Sequence, residues 1–332
     1  MLDEIYSRLF LEVIPDTVNS NSSVIRNLIN EQTNDKVSGS MYGKMIRTIY
    51  ERNPDSNIGL QYGKYLWPQT LCDYSRVIVT SCDIGAAFKL IESVHHIHGA
   101  SYYPFMRVME GIFSLALTFP FKDCVSADQR RFCIEAVLSY MANALKATTE
   151  KDFKPLKVSF DFPEPSYVKE YQSIFGDNII FNAPINMIEF DVSYLETPLL
   201  TSNPTLSKMY LKKSADDWKI KSRGGSDFEA VAVTCMLKNH PESFQCSELA
   251  KLMNLSVRGL QKKFTKHGVT FSQLTNRVRR ELVKIYLFQE QQGIEKTADK
   301  LGFQSRSGFT RFFKTEFNLT PIEYLDINLI AA

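Results

Sequence analysis

No two cysteines in this 332-residue chain are spaced C-x-x-C, although six are present, at positions 72, 82, 124, 133, 235 and 246. None stands at zinc-ligand spacing from a histidine, which argues against a structural zinc site. Small, partly buried thiols are the expected reading, with a redox pair of Cys72 and Cys82 as the alternative. P-loop, G-x-G-x-x-G, G-x-S-x-G and H-E-x-x-H motifs are all missing, so the chain is not expected to be an enzyme or to hold a cofactor. Long hydrophobic runs are missing too. The longest, Gly111 to Phe121, ends just after Pro120 and is too short to span a bilayer. The N-terminus, MLDEIYSRLFLEVIPD, lacks the basic-then-apolar order of a signal peptide. A cytoplasmic protein with no membrane contact is expected. What is present is ordinary core material, 44% hydrophobic and 12% aromatic, in a chain long enough for two domains.

Charge is divided unevenly. Residues 1–207 hold 18 Lys+Arg against 24 Asp+Glu, residues 208–227 hold 6 against 3, and residues 228–332 hold 15 against 10. The balances are −6, +3 and +5. Between Asn254 and Lys284 there are eight basic residues and one acid, Glu281. An acidic half joined to a basic half fits a nucleic-acid binder carrying a separate sensing or assembly domain.

Residues 212–227, charged and containing Gly224-Gly225, are expected to be an exposed linker. They divide an N-terminal domain, 1–211, from a C-terminal one, 228–332. In the first, helical periodicity appears near 3–13, 22–31, 38–52, 84–96 and 126–147, with Asp83 and Ser126 as N-caps of the last two. Strand-like runs lie at 103–109, 112–119, 156–162, 178–182 and 187–192. That is an α+β pattern. The C-terminal region shows helical periods only and is expected to be all-α.

Within 246–266, CSELAKLMNLSVRGLQKKFTK, Leu249, Ala250 and Met253 mark the inner face of a short helix. Asn254 can end it in the left-handed conformation, and Ser256 can cap the next. In that next helix Leu260 and Phe264 point inward, while Arg258, Gln261, Lys262 and Thr265 share the outer face. Helix, tight turn and helix, with Arg, Gln and Lys exposed on the second, is the arrangement that reads a major groove. A second unit follows at 294–317. Ile294, Ala298 and Leu301 lie inside, Gly302 turns the chain, and Phe309 and Phe313 anchor the second helix. Arg306, Ser307, Thr310, Arg311 and Lys314 lie on its other side. Asn318 is placed to terminate that helix and Pro321 to start another. Phe309, Phe312, Phe313 and Phe317 are expected in the core rather than as a base-stacking platform, with Phe312 the first candidate for an exception. Residues 271–291 between the units read as one helix of about 30 Å, close to the roughly 34 Å of one DNA turn. Arg277, Arg279 and Arg280 stand at its start, for phosphates or for ion pairs that hold the units together.

Residues 228–326 resemble the DNA-binding domain of the AraC/XylS family of bacterial regulators. The pattern stands here as S-x-R-x-L-Q-K-K-F (Ser256–Phe264), A-x-x-L-G-F (Ala298–Phe303), S-x-F-x-R-x-F-K (Ser307–Lys314) and P-x-E-Y (Pro321–Tyr324). Val283, Asn318 and Leu325 depart from its usual small residue, Gly and Arg. The resemblance implies base reading by Arg258, Gln261 and Lys262 in the first unit, with helix 257–266 in one major groove. Arg306, Ser307, Thr310 and Arg311 would read the next groove from helix 306–316. Lys263, Lys266, Arg279 and Lys314 are candidate phosphate contacts. Residues 1–210 resemble the larger α+β effector domain of one branch of that family, chiefly over 156–206, rather than a sugar-binding cupin. The partners so implied are double-stranded promoter DNA and a small-molecule effector, with RNA polymerase and a second copy of the chain as further candidates.

Two other readings fit the residues less well. Alkyl-DNA repair methyltransferases fused to such units need an activated cysteine in a Pro-Cys-His-Arg setting or a zinc-bound cluster. The surroundings of Cys82 and Cys124 fit neither. A non-specific nucleoid packer would carry more net charge than +2. His95, His96 and His98, near Tyr102 and Tyr103, stand as metal, ligand-lining or surface residues, with no acid or thiol placed to complete a metal site.

Overall fold

Ile46, Ile49 and Tyr50, at helical spacing, bury one face of α1 (Gly39–Arg52). The structure is a computed structural model that describes residues 39–65, 73–94, 102–120, 126–224, 228–239 and 245–330. The helical expectations at 3–13 and 22–31, the histidines at 95, 96 and 98, and Cys72 and Cys124 lie outside these residues. After α1 come α2 (Ile58–Tyr65), α3 (Asp73–Val79) and α4 (Ile84–Val94). Asp83 starts α4 by accepting the Ala86 N–H at 2.7 Å. Strands β1 (Tyr103–Met109) and β2 (Ile112–Thr118) form a hairpin that turns through Glu110 and Gly111, both at positive φ. Helix α5 (Ala127–Thr149) begins in a capping box between Ser126 and Gln129. Then follow β3 (Lys157–Ser159), α6 (Val168–Phe175), β4 (Ile179–Ile180) and β5 (Asn186–Asp191).

The sheet has the order β1-β2-β5-β3-β4, antiparallel except for the β3–β4 pair. It is open, with β1 and β4 at its edges. Phe113, Leu115, Leu117, Ile188 and Phe190 point to one face and pack on Leu60, Phe88, Ile134 and Leu138 of the helices. Helices α2 and α5 lie close because Gly59 and Gly63 face α5. A Cβ on Gly63 would stand 2.3 Å from the Ala136 carbonyl oxygen and 2.8 Å from Ser139 Cβ. Only hydrogen fits there.

Beneath these helices sits a buried carboxylate. Glu135 is fully buried and receives Arg131 Nε at 3.0 Å, Tyr167 Oη at 2.8 Å and the Tyr171 hydroxyl, with Tyr50 Oη 3.4 Å away. Burial pushes its carboxyl above the usual range, and Arg131 and the tyrosine hydroxyls pull only part of the way back. The cluster ties α1, α5 and α6 together through one acceptor.

The other sheet face is covered as well. Phe105, Ala116 and Met187 stand in register across β1, β2 and β5, and join one apolar cluster with Val278, Leu282, Ile285 and Leu287 of the C-terminal half. That explains why β2 is buried along nearly its whole length.

The described residues of the C-terminal half form helices and turns, with no strand. After α7 (Pro204–Gly224) come α8 (Phe228–Asn239), α9 (Cys246–Leu252), α10 (Val257–His267) and α11 (Phe271–Lys284). A π-turn (Ile285–Gln289) extends α11, and α12 (Ile294–Lys300), α13 (Arg306–Phe317) and α14 (Pro321–Ile330) complete the chain. Residues 212–224, expected as a linker, therefore form the second half of a 21-residue helix. Lys, Ala, Asp and Trp in that stretch include no helix breaker before Gly224, so a charged segment still propagates the helix begun at Pro204. The connector expected over 271–291 is helical to Gln289, and Gln291 then turns with φ 50°.

Candidate nucleic-acid interface

Two units of the same build flank the connector. In the first, α9 is capped at its start by Gln245 and Glu248. Asn254 turns at φ 53°, and the Leu255 N–H reaches back to the Ala250 carbonyl at 2.8 Å. Ser256 then opens α10 by accepting the Gly259 N–H at 3.1 Å. In the second, Gly302 turns at φ 74° after α12, and the Phe303 N–H reaches the Ala298 carbonyl at 3.1 Å. Ser305 caps α13 through the Gly308 N–H at 3.2 Å. Small Ala250 and Ala298, both buried, allow that close return of the chain in each unit.

The caps set the rotation of both second helices. Leu260 and Phe264 of α10 are buried, the latter edge-on to Phe228 at 5.3 Å. Arg258, Gln261, Lys262, Thr265 and Lys266 are exposed. Lys263 is half-buried, with Nζ 5.7 Å over the Phe228 ring. On α13, Phe309 and Phe313 are buried, Arg306, Ser307, Arg311 and Lys314 are exposed, and Thr310 is half-buried. Phe312, the candidate exception, is also buried, 5.2 Å from Phe303. The turn at Gly302 folds Phe303 over it, a tertiary contact that helical periodicity does not carry. Ser305 was missed by sequence reasoning, although a serine one residue before the helix is an ordinary N-cap signal.

The connector's arginines divide by partner. Arg277 pairs with Glu229 of α8 at 3.1 Å, and Arg280 lies 3.5 Å from Glu281. Arg279 is half-buried, its Nε donates to the Leu301 carbonyl at 3.0 Å, and its guanidinium lies 4.4 Å over the Phe303 ring. Burial lowers its pKa. Arg277 and Arg279 thus tie the connector to its neighbours on either side, while Arg280 lies beside an acid of the connector itself.

A cleft of about 350 Å³ opens where the halves meet. It is lined by Lys89 and Glu92 of α4, Tyr103 and Arg107 of β1, Lys238 of α8 and Glu290 after the π-turn. Burial, with Glu92 next, pushes the Tyr103 hydroxyl up to about 12.

Comparison with known proteins bears on both halves. Residues 23–199 match the family model described as the arabinose-binding domain of AraC transcription regulators, and residues 249–327 match a helix-turn-helix model. The chain belongs to the AraC family. A relative in Pseudomonas aeruginosa, an ornithine utilization regulator, is 23% identical over 194 residues, which span 58% of this chain and 57% of that protein. The crystal structure of the transcriptional regulator CdpR, also from P. aeruginosa, aligns with a TM-score of 0.45 and 14% identity over 91% of this chain and 96% of its own. Among the described residues no helix is long and apolar enough to cross a membrane.

Proposed function

We propose that this AraC-family chain is a transcription regulator that reads a two-part promoter sequence, one part with each helix-turn-helix unit. The observation that carries this is the matched pair of capped helices, α10 burying Leu260 and Phe264 and α13 burying Phe309, Phe312 and Phe313, each exposing polar, cationic side chains opposite. Arg258, Gln261 and Lys262 read bases in one groove, and Arg306, Ser307, Thr310 and Arg311 in the next. Lys263, Lys266 and Lys314 contact phosphates, whereas Arg279 serves as the joint between connector and second unit. The proposed boundaries are 1–211 for the effector domain and 228–332 for the DNA-binding domain, with 212–227 between them. Lys266→Gln and Lys314→Gln test the footprint. Each removes one phosphate contact, so the slope of log affinity against log salt should flatten by about 0.9 per substitution. Unchanged slopes in both variants would take these lysines out of the interface.

The cleft between the halves is where we place the small-molecule effector, since pockets of about 300–1,000 Å³ at domain boundaries are the usual ligand sites. Cations (Lys89, Lys238) and carboxylates (Glu92, Glu290) around one opening suit a zwitterion. The relative named for ornithine utilization makes L-ornithine the first compound to test. Calorimetric titration should show binding that is weakened about tenfold or more in Glu92→Gln, the worth of one charge-assisted contact. Equal binding by variant and parent would place the effector elsewhere.

A further inference from the structure

The joint between the effector domain and the connector is built from polar contacts that the two-unit reading does not use. At its centre is the π-turn, where the Glu290 N–H reaches the Ile285 carbonyl at 2.8 Å and the Gln292 N–H the Tyr286 carbonyl at 2.8 Å. A π-turn is a weak point in a helix and is found mostly where function requires it. Here it carries Gln289 onto the sheet. Gln289, 4% exposed, directs its amide nitrogen at the Phe105 carbonyl (3.1 Å), the Ser114 carbonyl (3.3 Å) and Ser114 Oγ (3.0 Å). Beside it, Arg107 of β1 pairs with Glu290 at 3.0 Å, and Glu290 also holds Lys300 of α12 at 2.7 Å. A charged chain thus runs from the edge strand to the first helix of the second unit. Eight residues back, buried Glu281 accepts the Phe119 N–H of the effector domain at 3.3 Å. Burial alone would raise its carboxyl, but Lys284, Arg130 and Arg280 bring it below the ordinary range, so it meets Phe119 as an anion.

The connector is therefore pinned to the sheet at two points, while Arg258, Gln261, Arg306 and Arg311 all stay exposed. Docking leaves the reading faces open. A clamp that covers no reader but spans the segment between them can act on one quantity, their relative placement. We propose that the N-terminal sheet is a splint for the connector, and that Gln289 is the positioning residue through which it fixes the spacing of the two reading helices. This rests on the two-unit reading above. The functional consequence is intolerance of altered spacing between half-sites, delivered by a domain that touches no base.

The test uses the full chain and a duplex enriched by that chain from a random-sequence pool. Affinities are measured for this duplex, for the same duplex with two base pairs added between its halves, and for each half alone. The parent should discriminate against the longer duplex by about tenfold or more, the range of ordinary interdomain coupling. Gln289→Leu should reduce that ratio to about twofold, with half-site affinities held within about twofold. Arg107→Gln, at a partly exposed site, should move the ratio the same way by less. Either result with intact half-site binding supports the splint. Undiminished discrimination in both variants would overturn it, and so would a parallel loss of half-site affinity in both, since the seam would then only support folding. Failure of the parent to prefer either half over random DNA would instead bring down the two-unit reading itself.

Discussion

The double variant Arg258→Ala/Arg306→Ala should bind its selected duplex about 2–6 kcal/mol more weakly than the parent, while binding to random DNA changes far less. Each arginine is exposed near the start of its helix, just after a serine cap that fixes the helix rotation. A base-reading side chain is worth about 1–3 kcal/mol at its cognate position. The two sit on separate units and share no partner, so their losses should add. Anisotropy titrations of both single variants and the double variant, at one salt concentration, give the values. A double variant no worse than either single one would mean that the two helices do not read the site together.

A second large effect is expected far from DNA. Glu135→Leu should destabilise the folded chain by about 3–5 kcal/mol, the usual result of removing one partner from a buried charge pair. Leucine would leave the half-buried Arg131 guanidinium without its carboxylate and the Tyr171 hydroxyl without its acceptor, while Tyr167 would keep only the Ser56 carbonyl. Glu135→Gln should cost much less, because an amide oxygen at the Oε1 position can still receive all three donors. The pH dependence has a definite sign. The folded carboxyl titrates above its unfolded value, so the stability linked to its proton is fully present below the unfolded pKa and is lost as pH rises through the folded one. Urea unfolding of parent, leucine and glutamine variants across that range measures both effects. A leucine variant as stable as the parent would show that the cluster is dispensable.

The two helix-turn-helix units were legible because their signals are local. Asn254 and Gly302 at the turns, Ser256 at a cap, and anchors four residues apart each report on a few neighbouring residues. The strands at 103–109 and 112–118 were legible for the same reason, as short apolar runs bounded by turn residues. Helix α2 was not, because Gly59 and Gly63 weaken its helical signal. Their reason for being there is α5, some seventy residues along the chain. Gln289 was likewise invisible. On an apolar stripe it reads as one polar interruption, and only the sheet lying against it supplies its acceptors. The role of Arg279 depended in the same way on a partner, the Leu301 carbonyl, that sequence spacing does not place.

We propose that α10 and α13 read bases in successive grooves of one duplex face. Repeated selection of random duplexes by the full chain, run in parallel with its Arg258→Ala variant, tests it most directly. The parent should select a motif with two conserved blocks centred about 10–10.5 base pairs apart. The variant should lose the information in one block while keeping the other. A single block in the parent, or loss of both blocks from the one substitution, would contradict it.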